Sequence, residues 1–173
     1  MKVAIQRRAA YLATMADLFA ADLTPEAYAT PAADAPLADR IRPASLEEVV
    51  GQEHLTGPDG AIGRMVAAGR LSSMILWGPP GTGKTSIARL LAKAVGMRFA
   101  AISAVFSGVA DLKKAFAEAD TMAKAGQRTL LFVDEIHRFN RAQQDGFLPF
   151  VEKGTVTLVG ATTENPKIGR AHV

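Results

Sequence analysis

Apolar runs alternate with amphipathic stretches along most of the chain. The apolar runs have the length and content of buried strands, and they lie at residues 74–78, 98–105, 129–136 and 155–163. The stretches between them have the pattern of helices, and they lie at residues 86–95, 109–126 and 140–154. Strands that alternate with helices in this way predict an α/β fold, in which a parallel sheet carries helices on both faces.

The start of the chain differs in composition from this pattern. Residues 3–23 are rich in Ala and Leu and favour a helix, whereas residues 24–36 place prolines among small residues, as flexible linkers do. We therefore expect residues 1–36 to be an N-terminal extension and linker. The folded domain is expected to begin near Leu37.

The overall composition is that of a globular chain, with 49% hydrophobic and 21% charged residues. No window reaches the roughly 18 uninterrupted apolar residues that a membrane span needs, so no membrane partner is expected. The chain has no cysteine, which excludes disulfides and thiol catalysis within it and fits a reducing cytoplasm. A net charge of +3 and a pI of 9.4 are compatible with nucleic acid as a partner.

The segment GPPGTGKT at residues 78–85 matches the pattern G-x-x-x-x-G-K-[ST] between a predicted strand and a predicted helix, which is the context of a phosphate-binding loop. Lys84 would reach the β- and γ-phosphates of ATP, and the Thr85 hydroxyl would bind Mg²⁺. The backbone N–H groups of the loop would surround the phosphates. The predicted nucleotide-binding residues here are Gly78, Pro79, Pro80, Gly81, Thr82, Gly83, Lys84, Thr85 and Ser86.

The segment LLFVDEI at residues 130–136 supplies acidic groups. Its apolar residues predict a buried strand that presents Asp134 and Glu135 at the edge of the sheet where ligands bind. Asp134 would orient the Mg²⁺ shell, and Glu135 would act as the catalytic base by polarising the attacking water. Two carboxylates after an apolar run are often only a solvated turn, but their pairing with a phosphate-binding loop favours catalysis.

The last predicted strand, which contains TLVGATT, is expected to lie between the other two strands that carry chemistry. A polar residue at its end would then approach the γ-phosphate. Thr163 is the catalytic candidate, with Thr162 and Asn165 as alternatives. Ser103, at the end of the second strand, would hold Glu135 away from water, although a small residue packed in a strand explains it equally well.

An apolar turn upstream of the first strand contains Val50 and Gly51. We expect this turn to close over the adenine ring. His54 and His137 lack the spacing of metal ligands, and both are expected to be surface or hydrogen-bonded histidines.

Longer segments resemble a known family. LADRIRPASLEEVVGQEHL, MILWGPPGTGKTSIARLLA and LLFVDEIHRFNRAQQDGFLPFVEKGTVTLVGATTENP together resemble the AAA+ ATPases of the clamp-loader group. Within that group they resemble the replication-associated recombination protein A family, whose eukaryotic relatives are the Werner-helicase-interacting proteins. DEIHR and GATT also resemble the Holliday-junction branch-migration motor, but TENP and FNRAQQD favour the first family.

The resemblance implies a P-loop NTPase fold with strand order 5-1-4-3-2, a helical lid and a C-terminal oligomerisation domain. It also implies a homo-oligomeric, DNA-stimulated ATPase that acts at stalled forks, gapped DNA or single-stranded ends. Such a protein would work in the bacterial cytoplasm, associated with the nucleoid.

The end of the chain departs from that family pattern. A fifth strand with an arginine finger and a lid should follow, but the chain continues as KIGRAHV. We therefore expect residues 37–166 to be a partial AAA+ domain, truncated before the fifth strand and the lid. Residues 167–173 are expected to be non-native, because IGRAHV can be encoded by the start of a widely used sequencing adapter. The chain alone is then expected to be poorly soluble and inactive, with its first strand as an open edge.

Other functions are compatible with parts of the sequence. A branch-migration motor, a clamp-loader-type subunit that uses ATP only as a switch, and a small-molecule kinase all carry phosphate-binding loops. Intact Lys84, Thr85, Asp134 and Glu135 favour hydrolysis over a switch. A DE pair with a GATT strand is rare among kinases of this loop class.

One short segment near the start predicts a further partner. MADLF at residues 15–19 resembles the pentapeptide by which bacterial proteins dock on the sliding clamp, with Leu18 and Phe19 filling an apolar pocket. Met15 stands where the usual Gln would be. The simpler explanation is that Leu18 and Phe19 form the apolar side of a helix.

Overall fold

Four parallel strands form one sheet in the computed structural model of the protein, which describes residues 37–165. The order is β1-β4-β3-β2, and each neighbouring pair is parallel. The strands are β1 (Met74–Trp77), β2 (Arg98–Ser103), β3 (Thr129–Asp134) and β4 (Val156–Thr162). The predicted α/β fold and the predicted order of these strands are confirmed. Each predicted strand runs past the observed end, into the loop where the chain turns out of the sheet.

The helices surround this sheet, and a 3-10 turn follows β3. The helices are α1 (Leu37–Arg40), α2 (Glu53–Thr56), α3 (Ala61–Ala67), α4 (Lys84–Ala94), α5 (Val109–Lys124), α6 (Arg141–Asp145) and α7 (Leu148–Glu152), and the 3-10 turn is Ile136–Arg138. None of the helices within residues 37–165 is long and apolar enough to cross a membrane. The N-terminal helix and linker, Leu18 and Phe19, and the tail at 167–173 lie outside the described residues.

The prediction of one helix over residues 140–154 is wrong, because two short helices occupy this stretch. Gly146 follows the last residue of α6, and Pro149 lies in the first turn of α7. Proline has no N–H to donate to the carbonyl four residues earlier, so a continuous helix would lose a hydrogen bond at this point. Phe147 lies at the junction and is buried, and its ring packs edge-on against Phe116 with centroids 5.6 Å apart.

Strand β3 is the centre of the core because both of its faces are covered. Leu130 and Phe132 belong to an apolar cluster built with α4, whereas Leu131 and Val133 belong to a second cluster built with α5 and its neighbouring aromatic rings. Successive side chains of a strand point to opposite faces, so the two clusters lie on opposite sides of the sheet. The prediction of helices on both faces is confirmed.

Strand β1 is an edge strand within residues 37–165, where β4 is its one neighbour. Met74 and Leu76 pack against the core, but Ile75 and Trp77 are 45% and 59% exposed. An apolar edge with unpaired backbone groups is a template for further strand pairing. The low solubility expected of the chain stays a prediction.

Gly160 of β4 makes room for two isoleucine side chains. A Cβ atom at this position would lie 2.7 Å from Cδ1 of Ile75 and 2.9 Å from Cδ1 of Ile136. Ile75 comes from the paired strand β1, and Ile136 begins the 3-10 turn after β3. The missing side chain therefore lets the 3-10 turn pack closely over β4.

Gly160→Ala is expected to lower the free energy of unfolding by about 1–3 kcal/mol, because the added methyl group overpacks the site and displaces both isoleucines. Chemical denaturation followed by circular dichroism measures the change. Gly108→Ala is the matched control, since a Cβ there meets nothing closer than Asp111 Oδ2 at 3.9 Å and φ is −99°. Equal stability of the wild type and Gly160→Ala would contradict this account of the packing.

Candidate nucleotide-binding site

The carboxyl ends of β1, β4 and β3 lie side by side at one edge of the sheet, because the three strands are parallel and adjacent. β1 leads into residues 78–85, β3 ends at Asp134 with Glu135 next, and β4 ends just before Thr163. The prediction that β4 lies between the other two strands is confirmed. This topology brings together the segments that were predicted to carry chemistry.

The loop at residues 78–85, called the phosphate loop below, curls around the ammonium group of Lys84. Lys84 Nζ donates hydrogen bonds to the carbonyl oxygens of Gly78 and of the following proline, each at 2.8 Å. Gly81 and Gly83 have φ of 79° and 80°, in the left-handed region that glycine adopts without strain. Helix α4 begins at Lys84, within the last residues of the loop, so the N–H groups of its first turn are available to an anion.

A cavity of about 520 Å³ opens beside the phosphate loop. Its lining contains predicted site residues from three separate segments of the chain. The lining residues are Arg42, Pro80, Gly81, Gly83, Lys84, Thr85, Ser86, Asp134, Glu135 and Thr163. The structure therefore brings the predicted base, the predicted Mg²⁺ ligands and the lysine to one space.

The charged form of the Asp134 carboxyl is disfavoured within this cavity. Burial raises the pKa of the Asp134 carboxyl above its usual value, and the charge of neighbouring Glu135 raises that pKa further. The N–H of Glu135, which donates to Asp134 Oδ1 at 3.2 Å, and the Lys84 ammonium oppose this rise. A divalent cation between Asp134 and the Thr85 hydroxyl would remove the cost.

The available ligands suit magnesium better than a metal held by protein alone. No cluster of three or more His, Cys, Asp or Glu side chains able to hold a metal occurs in the described part of the chain. Mg²⁺ in nucleotide sites is bound through one or two protein oxygens and keeps water and phosphate ligands. Asp134 and Thr85 match that requirement.

Glu135 has an unusual backbone conformation. Its φ of 52° and ψ of 44° lie in the left-handed region, which costs a non-glycine residue on the order of 1 kcal/mol or more. Two side chains contact the same carboxylate oxygen: Thr163 Oγ1 donates to Glu135 Oε2 at 3.3 Å, and His137 Nδ1 lies 3.3 Å from it. The hydrogen bond from Thr163 thus connects the Glu135 carboxylate to the end of β4.

The other predicted residues lie in different surroundings. Val50 is 88% exposed and is not among the lining residues of the cavity, and Gly51 follows it with φ of 83°. Binding of adenine by this turn stays a prediction. Ser103 is buried, and its Oγ accepts a hydrogen bond from the N–H of Val105 at 3.4 Å rather than contacting Glu135. Asn165 is exposed beyond the end of β4.

Two residues at the site were not assigned a role from the sequence. Arg42 lines the cavity although it lies far upstream of the phosphate loop, and only the fold brings it there. His137 was expected to be a surface or hydrogen-bonded histidine, and its Nδ1 lies 2.8 Å from Thr162 Oγ1. The position of His137 two residues after Glu135 was the available signal for its contact with that carboxylate.

The parallel sheet, the phosphate loop and the two carboxylates define a nucleotide-binding protein of the phosphate-loop class. The family model described as "ATPase family associated with various cellular activities (AAA)" matches residues 74–173. The chain belongs to this AAA family.

Known proteins are similar to the chain over most of its length. Replication-associated recombination protein A of Coxiella burnetii is 56% identical over 131 residues, and the protein of the same name from Escherichia coli K12 is 53% identical over 131 residues. Each alignment covers 76% of the chain but only 29% of the relative. The resemblance to this family that the sequence motifs predicted is confirmed.

A solved structure of similar fold is the RuvB Holliday junction branch migration motor of Thermotoga maritima. It superposes with a TM-score of 0.55 at 30% identity, and the alignment covers 71% of the chain and 42% of that structure. The predicted P-loop NTPase fold is confirmed.

Asp134→Asn is expected to raise the melting temperature of the nucleotide-free protein at neutral pH, because it removes a charge that burial and Glu135 disfavour. The folded-state pKa of Asp134 lies above its unfolded-state value, so the native state binds the proton more tightly. The contribution of Asp134 to wild-type stability therefore rises as the pH falls through that folded-state pKa, and the advantage of the variant disappears near the unfolded-state pKa of about 4.

Calorimetry from about pH 8 down to about pH 4 tests this expectation. Asp59→Asn, at an exposed loop position, is the control and should show no such pH-dependent difference. An Asp134→Asn variant that melts below the wild type at neutral pH without nucleotide would contradict it.

Proposed function

We propose that this chain carries the ATP-binding and ATP-hydrolysing site of a protein that acts on DNA during replication and recombination. The observation that carries the proposal is the single space shared by the phosphate loop, Asp134, Glu135 and Thr163. The similarity to proteins named for replication-associated recombination supports the DNA part of the proposal.

Each residue has a role that its position supports. The Lys84 ammonium, which now contacts loop carbonyls, would turn to the β- and γ-phosphate oxygens. Thr85 and Asp134 would hold Mg²⁺, which neutralises phosphate charge when it is bound. The N–H groups of the phosphate loop and of the first turn of α4 would bind the remaining phosphate oxygens.

Glu135 is the proposed catalytic base. Among the described residues 37–165, Thr163 and His137 contact the Glu135 side chain at Oε2, and we assign to Oε1 the role of accepting the proton of the attacking water. Thr163 would position this carboxylate at the end of β4, beside the expected place of the γ-phosphate. A glutamine at position 135 would keep the size of the side chain but lose the carboxylate that can take up a proton.

Two other functions, a branch-migration motor and a subunit that uses ATP only as a switch, are alternatives to this proposal. The similarity to RuvB supports a branch-migration motor as an alternative. The sequence identity of the chain to RuvB is 30%, however, whereas its identity to the recombination-associated relatives is 53% and 56%. A subunit that uses ATP only as a switch would not need Glu135 beside the phosphate loop. We therefore favour hydrolysis coupled to work on forked or gapped DNA.

The whole protein would have further partners. We propose a homo-oligomer, as the family resemblance implies, that works in the bacterial cytoplasm at the nucleoid. Docking on the sliding clamp through Leu18 and Phe19 is part of this proposal and rests on the sequence motif alone.

Lys84→Ala is expected to abolish ATP binding, because the phosphates lose their neutralising cation. Glu135→Gln is expected to preserve binding and to lower turnover by about 10²-fold or more, because the amide cannot accept a proton. Nucleotide titrations and steady-state ATPase assays of the full-length protein measure both effects. Wild-type turnover by Glu135→Gln would show that Glu135 is not the base.

The same assay with DNA tests the rest of the proposal. Forked or gapped duplexes are expected to increase the ATPase rate of the wild type and to leave Glu135→Gln unchanged. Blunt duplex of equal length is the control. An ATPase rate that no DNA alters would overturn the proposed action on DNA while leaving the ATP site in place.

A further inference from the structure

A hydrogen-bonded network links the segment after β3 to the end of β4. His137 lies on the 3-10 turn directly after Glu135, and its Nδ1 is 2.8 Å from Thr162 Oγ1 and 3.3 Å from Glu135 Oε2. Thr163 Oγ1 contacts the same Oε2 atom. Two consecutive residues of the β4 end therefore reach Glu135, one directly and one through the imidazole.

The surroundings of the imidazole define which nitrogen carries hydrogen. Thr162 Oγ1 donates to the carbonyl of Glu164 at 3.2 Å and accepts from the N–H of the same residue at 3.1 Å. We assign this hydrogen to the Glu164 carbonyl, and Oγ1 then accepts from His137 Nδ1. The Nδ1–H form also suits the distance of 3.3 Å between Nδ1 and Glu135 Oε2, because its polar N–H group attracts the carboxylate, whereas a bare Nδ1 would repel it.

The second ring nitrogen has a weaker neighbour. His137 Nε2 lies 3.5 Å from Glu164 Oε1, and the Glu164 side chain is 73% exposed. This contact is open to water and can rearrange. The buried side of the ring, with Nδ1, is therefore the side that acts on Glu135.

The position of His137 is held by packing on both sides. Ile136 packs into the space left by Gly160, and Phe139 is buried in the core. The N–H of Arg138 donates to the carbonyl of Glu135 at 2.9 Å and closes the turn. A ring fixed in this way can hold a neighbouring carboxylate in one orientation.

We propose that His137 is a positioning residue for the base: its Nδ1–H group donates to Thr162 Oγ1, and the same group, whose nitrogen lies 3.3 Å from Glu135 Oε2, attracts and orients the Glu135 carboxylate. This inference rests on the proposed role of Glu135 in ATP hydrolysis. The imidazole and Thr163 hold Oε2, so Oε1 is presented to the water. The network also ties the orientation of the base to the end of β4, where the γ-phosphate is expected.

His137→Ala is expected to lower kcat by about 10-fold or more while changing the Kd for ATP by less than about 2-fold, because misplacing a reacting group by about 1 Å can cost about 100-fold in rate. His54→Ala, which changes an exposed histidine of α2, is the matched control and should match the wild type. The assay is steady-state ATP hydrolysis with a parallel nucleotide titration.

Two amide variants separate positioning from a merely structural role. The amide nitrogen of Asn reaches the place of Nδ1, whereas that of Gln reaches the place of Nε2. His137→Asn is therefore expected to keep most of the wild-type kcat, whereas His137→Gln is expected to lose it. The two variants are expected to have equal melting temperatures. This comparison remains informative if His137→Ala fails to fold.

A double variant tests the coupling to Glu135. His137→Ala combined with Glu135→Gln should turn over no more slowly than Glu135→Gln alone, since positioning an absent base has no effect. The inference would be overturned by an unchanged kcat in His137→Ala or by equal losses of kcat in His137→Asn and His137→Gln. Additive losses of kcat in the double variant would overturn it as well. If Glu135→Gln itself keeps wild-type turnover, the role proposed above for Glu135 fails, whereas loss of turnover in Glu135→Gln with unchanged kcat in His137→Ala overturns the inference about His137 alone.

Discussion

The pairing of β4 between β1 and β3, with all strands parallel, is the constraint on which the site depends. Each strand delivers its following loop to the same edge of the sheet, so residues distant in sequence meet there: Lys84 after β1, Glu135 after β3 and Thr163 after β4. Burial of β3 on both faces holds this arrangement, since Leu131 and Leu130 belong to opposite core clusters. A shift of one residue in this register would exchange the faces of every side chain on the strand.

The site contains local costs, one of which a bound divalent cation would relieve. Asp134 is a carboxyl whose pKa is raised by burial and by Glu135, and Glu135 has a left-handed backbone. Lys84 uses loop carbonyls as substitutes for phosphate oxygens. The raised pKa of Asp134 and the left-handed backbone of Glu135 are unfavourable for stability alone, and both residues line one cavity with Lys84. Their common location is the physical reason for assigning catalysis rather than a solvated turn to the acidic pair.

Local sequence signals predicted the elements well, and the fold brings the main predicted site residues to one cavity. The glycine pattern of residues 78–85 and the apolar run before Asp134 depend on short-range requirements that a single segment displays. The helix break at Pro149 was missed because an amphipathic pattern outweighed one breaker. Arg42 and the Nδ1 contacts of His137 depend on side chains from separate elements, so no local pattern contains them.

The most direct test of a single ATP site is a crystal structure of the protein with Mg²⁺ and a non-hydrolysable ATP analogue. The account predicts that the β- and γ-phosphates lie in the phosphate loop, with Lys84 Nζ moved from its loop carbonyls to phosphate oxygens. It also predicts Mg²⁺ between Thr85 and Asp134, and Glu135 still bonded to Thr163 through Oε2. Phosphates bound away from the loop, or Mg²⁺ held without Asp134, would contradict it.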